Sequence, residues 1–371
     1  VITAKFRKHS LADRGLTVEL AAENLTAKQA EIAALPMGSV ALAVGSPSSG
    51  KTSALKALFF ALARADKPES VVTIAANRFA ANKLRDELAL AYQGATLGPL
   101  ARTLSSLAFS ILRFEAIERG NKLPELISGS EQDAMLEDLS DRVIAGELEF
   151  PEFPKHINKN VLGLTGFRNE LRDLVSVAIE HSVSPERLAE VGRAHDKVEW
   201  LGAAKLYEYY LRELSLEVHA HRFDPSSLLV EAAKLLRAGI WPGQLAEVKE
   251  FLIDDAQELT PAATDFILAL TEGPARAGVV LFGDPDAATM GFRAGDPEAM
   301  SRLVEKIAAA SARKVVNITL EPRSDSHADA IAAAMRRITP RINVALAGEQ
   351  RKGVGSNEVV QGDKSLKARV F

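Results

Sequence analysis

The octapeptide Gly45-Ser46-Pro47-Ser48-Ser49-Gly50-Lys51-Thr52 matches the pattern G-x-x-x-x-G-K-[ST]. It follows a continuous apolar run, Val40–Val44, and precedes Thr52–Arg64, whose apolar residues recur at helical spacing. Strand, glycine-bounded curl and helix in that order restrict the chain to a small set of folds. The glycines let successive backbone amides turn towards a phosphate, and the helix that follows adds the positive end of its dipole. Lys51 is then placed to reach the β- and γ-phosphates, and the Thr52 hydroxyl to ligate Mg²⁺. Gly45, Ser46, Pro47, Ser48, Ser49, Gly50, Lys51 and Thr52 are accordingly the expected ATP-binding residues, as a chance match would lack the flanking strand and helix.

A triphosphate loop needs a second strand that offers a carboxylate to the metal. Phe251-Leu252-Ile253-Asp254-Asp255-Ala256-Gln257 supplies it: an apolar run that ends in two acids. Asp254 is the expected metal ligand, and Asp255 the group that takes a proton from the attacking water. A solvated loop or helix cap is the other use of such a pair.

The remaining runs suit a parallel sheet. Ser70–Ala75, Val248–Ile253, Gly278–Phe282 and Val315–Leu320 read as buried strands, while Leu25–Leu35, Ala80–Tyr92 and Thr103–Arg113 read as helices. Two of the strand runs end in acids, and parallel sheets bind ligands at those ends. From Phe114 to His221 the texture becomes helical. There Ser128-Gly129-Ser130-Glu131 predicts a capping box, with Met135, Leu136, Leu139 and Val143 on one face.

Composition narrows the partners. Of 371 residues, 47% are hydrophobic, which suits a large core, and roughly 100–200 residues per domain predicts two or three domains. The net charge of −4 gives no global attraction for nucleic acid, so any DNA contact needs a local groove. The sequence contains no cysteine, which excludes disulfides and thiolate metal sites from these residues and suits a cytoplasmic location. Val1–Arg14 lacks the apolar core of a secretory signal, and no apolar run nears the roughly 20 residues of a membrane span. Trp200 and Trp241 read as packing residues. His219 and His221 read as a solvent-facing pair more readily than as a metal site, and Arg336, Arg337 and Arg341 as a solvated helix end.

With both sites placed, further short motifs fall in an order that resembles UvrD/Rep-type superfamily 1 DNA helicases. Leu25-Thr26-Ala27-Lys28-Gln29 stands where that family reads adenine, which makes Gln29 the adenine candidate. Arg102-Thr103-Leu104-Ser105-Ser106-Leu107-Ala108 is similar to the family's T-F-H-S-L segment, and Asp254-Asp255-Ala256-Gln257 to its D-E-x-Q. Gly283-Asp284-Pro285-Asp286 with Gly291-Phe292-Arg293-Ala294-Gly295 resembles GDxxQ and FRGA. Leu320-Glu321-Pro322-Arg323-Ser324 resembles a motif whose arginine reaches the γ-phosphate from a second motor domain.

The resemblance implies an α/β fold: a P-loop RecA-like parallel sheet flanked by helices, with a helical insertion domain. It implies a RecA-like ATPase domain 1A over 1–113 and 223–300, a helical domain 1B over 114–222, and the start of a truncated second RecA-like domain 2A over 301–371. It implies ATP and Mg²⁺ as cofactors, with Lys51, Asp255 and Arg323 catalytic and Gln257 at the nucleotide. It further implies single-stranded DNA as a partner, contacted by Thr103, Ser106 and Phe292. Read from the residues alone, Thr103 and Ser106 equally suit helix capping and Phe292 a core position. Ile127–Asp133, Phe167–Asp173, Arg102–Arg113 and the Asp-Asp-Ala-Gln form of the second motif give a narrower likeness to the AdnA-type subunit of AdnAB helicase–nucleases, which implies double-strand break processing beside a second helicase–nuclease subunit.

Three positions depart from the family pattern. Asp255 replaces Glu and is one methylene shorter, and misplacement by about 1 Å costs about a hundredfold in rate. Ala287 stands at a Gln position. Asn77, Arg78 and Phe79 replace Thr, Asn and Lys. These changes predict a slow or vestigial motor that still binds ATP.

Overall fold

A computed structural model describes residues 25–92, 96–216, 221–289, 296 and 298–320. Six strands form one sheet: β1 (Val40–Gly45), β2 (Val71–Ile74), β3 (Ala101–Arg102), β6 (Glu250–Ile253), β7 (Gly278–Gly283) and β8 (Val315–Leu320). Their order is β3-β2-β6-β7-β1-β8, and every pairing is parallel. Parallel strands need crossovers, so helices cover both faces and the strands are apolar on both sides. Along β1, Val40 and Leu42 enter one core while Ala41 and Ala43 enter the other.

The first core joins the sheet to α4 (Leu104–Arg119), α10 (Ser227–Arg237), α12 (Pro261–Thr271) and α13 (Ala299–Ser311). The second joins it to α1 (Ala27–Ala33), α2 (Lys51–Ala65) and α3 (Arg78–Tyr92). This is the α/β architecture expected. Trp241 packs against the first core and donates from Nε1 to Leu236 O at 3.0 Å, so it is a packing residue, as expected.

The segment between α4 and α10 has its own core. It comprises α5 (Gly129–Ala145), α6 (Lys159–Leu162), α7 (Thr165–Glu180), α8 (Pro185–Ala194) and α9 (Val198–Ser215). Leu136, Leu139, Val175, Leu206, Tyr207 and Tyr210 fill it, with Trp200 packed against it. The capping box at Ser128 and Glu131 is present. Short parallel strands β4 (Glu125–Leu126) and β5 (Arg222–Phe223) pair at its neck.

Two expected domain boundaries shift. Residue 114 falls inside α4, whose Leu107, Ala108, Ile111 and Leu112 belong to the sheet core, so the helical unit begins later. Residue 301 does not open a second sheet. β8 pairs with β1 from Val40↔Val315 to Gly45↔Leu320, and Met300, Leu303, Val304 and Ile307 of α13 enter the first core. The segments 1–24 and 321–371, with Arg336, Arg337 and Arg341, and His219, lie outside the described residues. Among the described residues, no helix is long and apolar enough to cross a membrane.

Glu250 locks the amino edge of the sheet. It is fully buried at the start of β6, and its Oε2 accepts from Gly38 N at 2.5 Å and Ser39 N at 3.2 Å. A Cβ at Gly278 would collide with the Gly38–Ser39 backbone, so the strands meet closely there. Burial pushes the Glu250 carboxyl from its ordinary 4.5 up to about 8, although the two amides and the charge of Arg313 pull it back. Between those values the folded chain holds a proton that the unfolded chain has released, so stability falls as pH rises through this window. Glu250→Gln keeps an acceptor and cannot ionise. Melting measured from about pH 5 to about pH 9 should therefore show a wild-type stability loss that is largely missing in the variant, and equal pH slopes would refute this.

Candidate nucleotide site

The curl between β1 and α2 is shaped by its backbone. Ser48 and Gly50 have φ of 62° and 86°, in the left-handed region, and a Cβ at Gly45 would collide with Ser49 Oγ. Ser49 N bonds Ser46 O at 3.1 Å, which closes the turn. The hydroxyls of Ser46 and Ser49 are buried with no protein partner, whereas Pro47 and Ser48 are exposed. Lys51 Nζ donates to Gly45 O at 2.8 Å and Ser46 O at 3.1 Å, so the ammonium is at the mouth of the curl. The first turn of α2 contributes no acid of its own, so the positive end of its dipole is directed at this loop.

Asp254 closes the site from the neighbouring part of the sheet. β6 ends at Ile253, and Asp254 N is held by Ile74 O of β2 at 2.8 Å. The Thr52 hydroxyl donates to Asp254 Oδ2 at 2.7 Å. Burial pushes the Asp254 carboxyl up to about 6; the Thr52 hydrogen bond and the Lys51 charge oppose that rise, and the Asp255 charge adds to it. A hydroxyl on a buried carboxylate, next to an ammonium and a curl with two unpartnered hydroxyls, is a donor set that fits a magnesium nucleotide. Asp254 and Thr52 would hold the metal, and the curl and Lys51 the phosphates.

Asp255 has φ of 52°, a left-handed conformation that Asp tolerates better than most residues. Its backbone N–H is fixed on Asp254 Oδ1 at 3.1 Å, and its Oδ1 accepts from Gln257 Nε2 at 3.3 Å. The other end of the same amide, Gln257 Oε1, accepts from Asp284 N at 3.0 Å. Gln257 is buried, so both ends of its side chain serve the protein. Glu258 forms a second tie, accepting from Thr289 N and Thr289 Oγ1 at 3.0 Å each. Ala287, in the turn after Asp284, offers no polar side chain.

Gln29 differs from expectation in its surroundings. It completes a capping box with Thr26: its Oε1 accepts from Thr26 N at 2.9 Å, and its Nε2 donates to Gly50 O at 3.1 Å. The side chain is fully buried. It thus braces the back of the curl and turns neither amide group outward. Thr103 and Ser106 form the N-cap of α4, with Ser106 N on Thr103 Oγ1 at 3.1 Å, which is the capping alternative the residues themselves allowed. Phe292 and Arg323 lie outside the described residues.

A cleft of about 720 Å³ runs from this site to the helical unit, with Thr103, Asp254, Asp255 and Thr260 on one side and Gln132, Arg172 and Glu180 on the other. The sequence reading missed a buried seam beside it. Asp224 is fully buried and caps α10, its Oδ1 accepting from Ser226 N and Ser227 N at 2.8 Å each. Tyr210 OH reaches Asp224 Oδ2 at 3.5 Å, and Gln132 Nε2 donates to Tyr210 OH at 3.2 Å. Asp224-Pro225-Ser226-Ser227 is a helix-start signature that could have revealed the cap; nothing local marks Tyr210 or Glu180.

The family model of the UvrD/REP helicase N-terminal domain matches residues 25–308, which is most of the chain. No curated protein matches the chain.

Gln257→Leu strips Asp284 N and Asp255 Oδ1 of their shared partner inside the protein. The variant should lose about 1–3 kcal/mol of stability in denaturant titrations. An unchanged midpoint would show that the amide bridge contributes nothing.

Proposed function

This chain belongs to the UvrD/REP helicase family, and on that premise we propose that it is the N-terminal portion of an ATP-dependent DNA translocase or helicase acting on single-stranded DNA. The observation that carries the proposal is the 2.7 Å contact between Thr52 Oγ1 and Asp254 Oδ2, which brings the curl and the second acid to one point. When bound, Mg²⁺ neutralises charge on the phosphates. Thr52 and Asp254 would hold it, and Lys51, now on Gly45 O and Ser46 O, would serve the phosphates together with the curl amides. Asp255 Oδ1 is engaged by Gln257, which leaves Oδ2 to take the proton of the attacking water. In this reading Gln29 and Gln257 position the curl and Asp255, and touch the nucleotide less than their motifs imply. The sheet through β8 corresponds to domain 1A and α5–α9 to domain 1B. Arg323 acts across the domain cleft, and Phe292, Thr103 and Ser106 contact DNA on the strength of the resemblance. The AdnA likeness extends the proposal to double-strand break processing beside a second helicase–nuclease subunit.

Two observations favour a second reading, in which the chain binds ATP and DNA while a partner supplies the motor. Asp255 has the shorter side chain and is tethered by Gln257. Ala287 provides no group to sense the γ-phosphate.

Full-length protein should hydrolyse ATP, be stimulated by single-stranded DNA, and lose at least about a hundredfold of that turnover in Lys51→Ala. Turnover indifferent to DNA would sink the translocase reading. Unwinding by the native complex that persists when Lys51→Ala is confined to this subunit would establish the second reading instead.

A further inference from the structure

Glu180 ends α7, and an acid at the carboxyl end of a helix is opposed by that helix's dipole. Its carboxylate instead faces the amino end of α12, within hydrogen-bonding reach of the Thr260 hydroxyl and the Ala262 amide. There the dipole of α12 favours it. Burial and the neighbouring Asp224 push the Glu180 carboxyl up, while the two α12 donors pull it down, and its Oε2 is buried with no partner. An acid stands at this buried position despite a desolvation cost, which directs attention to what it holds.

What it holds is the start of α12. Thr260 is the N-cap, accepting from Ala263 N at 3.3 Å. Only the turn Ala256–Glu258 and Leu259 separate it from Asp255, and Gln257 in that turn fixes Asp255 Oδ1. Glu180, Thr260 and Asp255 line the same cleft. The helical unit also meets the sheet domain through the Gln132–Tyr210–Asp224 seam, which ends on the start of α10 and not on α12.

We propose that Glu180 is a positioning residue for hydrolysis: from the helical unit it sets the amino end of α12 and, through the turn before it, the placement of Asp255. This rests on the functional reading above, and the test separates the two. In the full-length protein with its native partners and no nucleotide, amide exchange is followed over residues 254–263. ATP turnover is measured with single-stranded DNA. Glu180→Ala should speed exchange at the first turn of α12 and lower kcat about tenfold, with KM for ATP changed by less than about twofold, because the curl is untouched. Glu180→Gln retains an acceptor oxygen and should stay near wild type in both. Thr260→Ala removes both the opposing hydroxyl and the N-cap and should lower kcat at least as much, and the double variant should be no worse than Thr260→Ala alone. Tyr210→Phe, which weakens the seam away from α12, should leave kcat alone. Unchanged exchange in Glu180→Ala, additive losses in the double variant, or equal damage from Ala and Gln would overturn the proposal. If wild-type protein shows no ATP turnover, the functional reading fails, and the exchange measurement still decides whether Glu180 holds α12.

Discussion

The hydroxyl of Thr52 and the carboxylate of Asp254 meet at 2.7 Å, although 202 positions separate them in the sequence. That contact depends on the parallel sheet. β1 delivers the curl and β6 delivers the acid, with β7 between them in register with both. Parallel pairing sends all the strand ends to one edge, so groups distant in the chain converge there. The apolar runs that look redundant in sequence are what hold the two strands with a single strand between them.

Around that contact, side chains that never need to touch a nucleotide set the geometry. Gln29 braces the curl from behind through Gly50 O. Gln257 ties Asp255 to the end of β7 through Asp284 N. Glu250 fixes the opposite edge, where burial of a carboxyl is tolerated because two backbone amides meet it. The helical unit meets the start of α12 at Glu180 and the start of α10 at the buried Asp224. The curl and the loop after β6 are therefore braced from the chain's own interior by buried side chains.

Much of this was legible from local pattern. The curl, the buried strands and the capping box at Ser128 each have a signature confined to a few neighbouring residues, and the structure contains all three. The order of the short motifs also led to the family that matches the chain. What failed to show was anything decided by tertiary placement. The run Val315–Leu320 reads as a strand, but no local feature says that it completes the first sheet beside β1 rather than opening a second one. The end of α4 was misjudged because the helix continues smoothly past residue 113. The motif makes Gln29 the adenine candidate because it names a residue type, while its burial is fixed by α1 packing on α2 and β8. Glu180 carried no motif at all.

Calorimetric titration of ATP, with and without Mg²⁺, into wild-type protein and Asp254→Asn tests the central contact most directly. The account predicts that Mg²⁺ tightens ATP binding by about tenfold or more in the wild type, and that this gain disappears in the variant while metal-free binding persists. An equal gain from Mg²⁺ in both proteins, or no ATP binding by the wild type, would contradict it.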